Sequence, residues 1–362
     1  MKTQESKRRH CRQSAGPRLL AAFFMLALGC AGTAAAASFC AHSAAEIQTA
    51  LTAAQANGEE DEIRITTGNY PLAATLTYNS SEAHGIFIGG SYDDAQCAES
   101  SLNLGGSGTI LDGQHAVRVL FVASPNGGVG LLGLTLSAGR SSNGSAGAGA
   151  VIAGCLGCVV AYNRFSANRV TGTDALAGGL LINGTTSLEF SNNLFFGNRG
   201  VKVGGVVLNF GNGTGIVKNN TIVANITDTL ADPGGLFLEG GMQYQVSSNI
   251  VWNNAAAGGS DFRVAATNTR IGNDIGIVTP GSTAGTVSKE LSVDPKFFDC
   301  GFLCFGFDLD DGSPLINAGN DAQGGIQLLL DLAGKPRYFA GHVDIGAFEY
   351  NDTIFDNGFE TP

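Results

Sequence analysis

One short motif recurs four times in the middle of the chain: Asn, any residue, a large apolar residue, two residues of any kind, then Asn. It appears as Asn163-Phe165-Asn168, Asn193-Phe195-Asn198, Asn220-Ile222-Asn225 and Asn249-Val251-Asn254, with successive copies starting 30, 27 and 29 residues apart. A second signal, a Gly pair followed by an apolar run, interleaves with it at Gly178-Gly179-Leu180, Gly204-Gly205-Val206 and Gly234-Gly235-Leu236. Each unit therefore holds two strand seeds and no apolar stripe long enough for a helix. So short a unit cannot bury its own apolar face, whereas copies stacked on one another bury a continuous core and pair every backbone group with the next coil. The spacing predicts an all-β solenoid with Phe165, Phe195, Ile222 and Val251 in one inward-facing column. Asn suits the corners because it tolerates the left-handed backbone region, and its amide can bond neighbouring backbone or stack into a ladder.

The flanks are less regular. Residues 44–56 place Ile47 and Leu51 four apart among alanines, which predicts a short helix, and Ile63 and Ile65 then alternate with polar residues up to Gly68-Asn69-Tyr70. Further strand signals lie at Ile86-Phe87-Ile88, Thr109-Ile110-Leu111, Val119-Leu120-Phe121 and between Leu131 and Leu136. An open solenoid exposes its core at each end, so residues 38–90, with the helix, are expected to close the N-terminal end. Gly supplies 53 of 362 residues against only 9 Pro, which fits many tight turns and excludes collagen and Pro-rich linkers.

The first 37 residues begin with Lys7, Arg8, Arg9, Arg12 and Arg18, continue into an apolar run from Leu19 to Leu28 and end in Ala35-Ala36-Ala37, the layout of a secretory signal peptide. The mature chain is expected from Ser38, secreted or at the cell surface of a Gram-negative bacterium and monomeric, without a transmembrane segment. Six of the 20 basic residues and one of the 31 acidic ones fall in that leader, leaving a net charge of −16. Such a surface repels nucleic acid and anionic membranes, and it admits an acidic polysaccharide only where a cation bridges the two. The six remaining cysteines are an even set in a chain bound for an oxidising compartment. Their grouping favours Cys40 with Cys97, Cys155 with Cys158 and Cys300 with Cys304; the rival is a zinc site built from Cys155, Cys158, Cys300 and Cys304.

The helix, the strand ending at Gly68-Asn69-Tyr70, the Ile88-Gly89-Gly90-Ser91-Tyr92 turn followed by Cys97, the Leu111-Asp112-Gly113-Gln114 step and the Asn-bounded repeats together resemble right-handed parallel β-helix proteins of the pectate-lyase-like superfamily. Near the end, Asp294-Pro295-x-Phe297, Ser313-Pro314-Leu315-Ile316-Asn317-Ala318-Gly319, Asp331-x-x-Gly334-x-Pro336-Arg337 and Asp344-Ile345-Gly346-Ala347-x-Glu349 are similar to the C-terminal signature of choice-of-anchor Q domain proteins. The resemblance implies a secreted or surface-held β-helix over residues 38–350, with residues 290–350 as a C-terminal cap and 351–362 as a tail that could act as a sorting segment. Arg337 and Asp344, within that signature, are read as holding the cap together rather than as catalytic.

Relatives on this fold cleave acidic polysaccharides by β-elimination, using Ca²⁺ held by carboxylates to acidify the proton beside the uronate carboxyl group and an Arg or Lys to remove it. In the regular coils the candidate acids are Asp174, Glu189, Asp228, Asp232 and Glu239, and the possible bases Arg199, Lys202 and Lys218. Arg199, Lys202, Lys218, Asp228 and Glu239 are the weak catalytic candidates. They do not recur at matching repeat positions, so nothing in the spacing assembles them into one site. No Gly-x-Ser-x-Gly elbow occurs in a strand-turn-helix context, and the four histidines of the mature chain are scattered. The sequence thus points to a non-catalytic β-helix presenting a face to carbohydrate or to another cell-surface component, with no cofactor evident; the alternative is a Ca²⁺-dependent polysaccharide lyase or other carbohydrate-active enzyme.

Overall fold

A computed structural model describes residues 36–104, 108–142, 147–172, 176–229, 232–254, 259–298, 306–338 and 341–350. Over them the chain winds into a parallel β-helix whose four sheets contain ten, eight, seven and four strands. One coil shows the pattern: Ser187–Ser191 joins the ten-stranded sheet, Leu194–Phe196 the eight-stranded, Arg199–Gly200 the four-stranded and Val206–Phe210 the seven-stranded, before Thr214–Lys218 begins the next coil. Each strand pairs in parallel with its counterparts one coil before and after.

The register aligns Tyr70, Leu111, Leu136, Phe165, Phe195, Ile222, Val251 and Ile275 in one column. None of them is more than 5% exposed. The predicted inward column therefore exists and is twice as long as the motif announced. The rings of Phe165 and Phe195 stack at 4.5 Å with planes 7° apart. Burying each large side chain contributes about 1.5–3 kcal/mol, so the column is a main source of cohesion between coils.

Two amide ladders run beside it. In the first, the Nδ2 of Asn163 donates to Asn193 Oδ1 at 3.2 Å, and the same step repeats to Asn220, Asn249 and Asn273 at 3.0, 2.8 and 2.9 Å. In the second, Asn168, Asn198, Asn225 and Asn254 form the same chain, and Asn254 donates to the carboxylate of Asp261 at 3.1 Å. All of these groups are buried. The expected reason for Asn at the corners needs correction: the left-handed residue is the one before each ladder Asn, namely Tyr162, Asn192, Asn219, Ser248 and Gly272 in the first ladder, with φ between 51° and 60°. The ladder Asn is needed for its amide, which satisfies buried backbone groups that the turn leaves open. The Gly pairs answer to space: a Cβ on Gly178 would lie 2.4 Å from the carbonyl of Gly204, and one on Gly204 would lie 2.5 Å from that of Gly234.

At the N-terminal end, helix α1 (Ala44–Ala53) starts at Ser43, whose hydroxyl accepts from the Glu46 amide, and buries Ile47 and Leu51 against the first coils. Gln48 fixes it by bonding both the N–H and the carbonyl of Thr77. Cys40–Cys97 and Cys155–Cys158 are disulfides, as their grouping suggested, which removes the pair that a zinc site with Cys300 and Cys304 required; those last two cysteines, the leader up to residue 35 and the tail 351–362 lie outside the described residues. No helix among the described residues is long and apolar enough to cross a membrane.

Residues 306–338 and 341–350, which fall in the expected C-terminal cap, lie along the flank of the helix, from Asn320, which bonds Ser248, to Leu330, whose carbonyl accepts from Tyr162 and Asn192. The physical reason lies in the outward side chains of this flank: Leu132, Ala161, Leu194, Val223 and Ile250 are apolar, and Leu315, Leu328, Leu332, Ile345 and Phe348 cover them.

Candidate functional site

Lys218 and Glu189 occupy outward positions on neighbouring strands of the ten-stranded sheet. An outward position normally meets solvent, but here the C-terminal segment lies over it, and the two side chains are 1% and 8% exposed. The Lys218 ammonium donates to the carbonyls of Gly324 and Ile326 at 2.6 and 2.5 Å and faces Glu189 Oε1 at 3.3 Å. Burial pulls the lysine down and the carboxylate up, each opposed by the charge of the other. A general base needs a free lone pair and access to substrate; this nitrogen is enclosed with three acceptors around it. Its role is to fasten the segment to the coils.

A second pair lies farther along the same seam. Arg337 meets Glu349 at 2.7 Å, both 1% exposed, and its Nη1 and Nη2 groups also reach the carbonyls of Gly346 and Ala347 and the Asn192 side chain. Burial pushes the Glu349 carboxyl up to about 8 against the pull of Arg337. Asp344 accepts from the amides of Asn317 and Tyr350, and Asp331 from those of Ala333, Lys335 and Glu349. The signature residues thus close the segment on itself and pin it to Asn192. A cavity of about 300 Å³ remains beside them, lined by Lys218, Gln323, Gln327, Arg337 and Tyr338 among others.

The other candidates stand on different sheets. Arg199, in the four-stranded sheet, donates from Nε and Nη2 to Asp228 Oδ1 in the next coil at 2.9 and 2.6 Å, in an ion pair whose side chains are 43% and 39% exposed. Lys202 is exposed in the loop that follows. Glu239 lies on the outer face of the seven-stranded sheet, and Asp232 pairs with Arg263 at 2.8 Å. Asp174 is outside the described residues. The five candidates, Arg199, Lys202, Lys218, Asp228 and Glu239, are therefore spread over three faces, and only Arg199 and Asp228 touch. Cys40, His42 and Cys97 are close enough together to suggest a metal cluster, but the two sulfurs are bonded to each other.

Two rows of polar side chains do recur from coil to coil on the faces away from the C-terminal segment. On the seven-stranded sheet Asn183, Asn209 and Glu239 are register partners, and Asn209 Nδ2 donates to Asn183 Oδ1 at 3.2 Å. Outward-facing Phe237 stands two residues from Glu239, with the Arg263 guanidinium 4.9 Å from its ring centre. On the four-stranded sheet Arg140, Arg169 and Arg199 are register partners in three successive coils. Sequence reasoning passed over Arg140 and Arg169, although Arg169 and Arg199 each directly follow a ladder Asn, a signal that places them on one face.

No protein-family model and no curated protein matches this chain. Among solved structures it is similar to pectate lyase Pel9A, at 14% identity and a TM-score of 0.35, over 83% of this chain and 90% of that one. At that identity and score the likeness assigns neither a ligand nor a reaction.

Proposed function

We propose that this protein is an exported β-helix, secreted or held at the cell surface, that binds carbohydrate along its outer face without cleaving it. The observation that carries the reading is the row Asn183, Asn209 and Glu239, repeated at the strand interval and flanked by Phe237. Glycans offer hydroxyls at regular steps, and planar amides and a carboxylate spaced about 4.8 Å apart meet them; Phe237 stands beside the row with its ring under the Arg263 guanidinium. The lyase alternative needs a free base beside clustered carboxylates. Lys218 is enclosed, Arg199 is paired with Asp228, and Glu239 lies on another sheet.

The test is retention of the mature protein on a panel of immobilised polysaccharides, with the polymers then checked for unsaturated ends by ultraviolet absorbance in the presence of Ca²⁺. The reading expects retention on at least one polymer, weakened about tenfold by the double variant Asn209→Ala/Glu239→Ala, and intact chain length throughout. Unsaturated product that disappears in Arg199→Ala or Lys202→Ala would establish the lyase instead, and retention unaffected by the double variant would remove this face from the account.

A further inference from the structure

We propose that Arg140, Arg169 and Arg199 form a docking row for a sulfated glycan, in which successive guanidinium groups meet successive sulfate esters. This rests on the carbohydrate reading above and adds the charge of the ligand and a second face that it touches. The register puts the three arginines directly side by side, Arg140 on Arg169 and Arg169 on Arg199. Arg140 and Arg169 are exposed, and among the described residues neither has a carboxylate partner. Like charges on adjacent strands destabilise a sheet, and this row sets three together in a chain whose formal charge is −11. The next register position is Ile226, 40% exposed, so the cationic row ends after three coils, a span of roughly 10 Å at the ordinary strand spacing. That is the length of a short run of sugars in an extended glycan.

Asp228 indicates which anion fits. Its carboxylate already holds Arg199 through two N–H groups, so a ligand carboxylate gains nothing there by exchanging one such pair for another. A sulfate ester has three terminal oxygens and can bond two neighbouring guanidinium groups at once. The acidic remainder of the surface repels polyanions in general, so attraction comes from the arginines that lie within a Debye length of the ligand.

The experiment compares dextran sulfate with unsulfated dextran, polygalacturonate and oligothymidylate, by calorimetry on the mature full-length protein. Dextran sulfate is expected to bind best, with an affinity that falls as salt rises from about 0.05 M to about 0.3 M. Arg140→Ala and Arg169→Ala should each weaken it about tenfold, Asp228→Asn should strengthen it severalfold by releasing Arg199, and Lys289→Ala, an exposed cation elsewhere, should leave it unchanged. These surface changes leave the core intact, and circular dichroism of each variant confirms that it is folded. Binding that survives both arginine variants, or that Lys289→Ala reduces as much, overturns the proposal, as does equal affinity for polygalacturonate or oligothymidylate. Should neutral glycans bind while dextran sulfate does not, the carbohydrate reading stands and the arginine row falls.

Discussion

The coils and the segment that braces them are held by opposite means. Within the coils, the same contacts recur at every step: an apolar side chain on its register partner, an amide on the next amide. Along the brace, contacts to the coils occur once each, between residues 72 to 168 positions apart, and buried ions are among them. A periodic structure shares any loss among its neighbours, so stability there resembles a sum of coil and interface terms. A brace made of single bonds has no such reserve.

The contrast is broken most directly by Arg337→Met, which leaves the buried acceptors of Asn192, Gly346, Ala347 and Glu349 open together. A loss of about 3–5 kcal/mol is expected in the attachment of the bracing segment, read by hydrogen exchange as lost protection there while the coils keep theirs. Equal loss of protection in both would mean that brace and coils are one cooperative unit. A smaller effect, about 2–3 kcal/mol in denaturant titration, is expected for Asn220→Ala. It removes the acceptor of the Asn193 amide groups as well as its own donor, in the middle of the ladder. The difference between these two variants separates local from shared damage.

Acidity sharpens the comparison further. The Glu349 carboxyl, ordinarily 4.5, is raised by burial to about 8, and Asp274 at the end of the coils is raised to about 6 for the same reason. A carboxyl whose value is raised on folding binds its proton more tightly in the folded state. The stabilisation it gives is therefore complete below the unfolded value and is lost as pH rises through the folded one. The brace should melt at a higher temperature near pH 5 than near pH 8, and Glu349→Gln should flatten that slope. The smallest effect is expected at the surface: Arg199→Ala should change global stability by less than about 1 kcal/mol, because its pair with Asp228 is open to water.

Much of the coil region was legible because a buried column must repeat its residue type: Phe165, Phe195, Ile222 and Val251 announced their register by spacing alone. The ladder ends were not, since Asn273 and Asp261 lie 24 and 7 residues after the Asn they serve, outside the interval set by the other steps. The brace residues could be seen as a signature but not placed, because nothing periodic tells where Arg337 finds Asn192 or where Lys218 finds Gly324. The arginine row was hidden for a different reason. Arg140 follows a Gly rather than a ladder Asn, and only the strand register shows that it stands beside Arg169.

Asp261 gives the amide ladder a direction and an end. Every earlier rung both accepts a hydrogen bond and donates one; this carboxylate accepts from Asn254 and from the Ile277 amide and, ionised, donates none. A relay that can be read only one way closes on its final acceptor, so one oxygen standing where an amide nitrogen would be marks the length of the row.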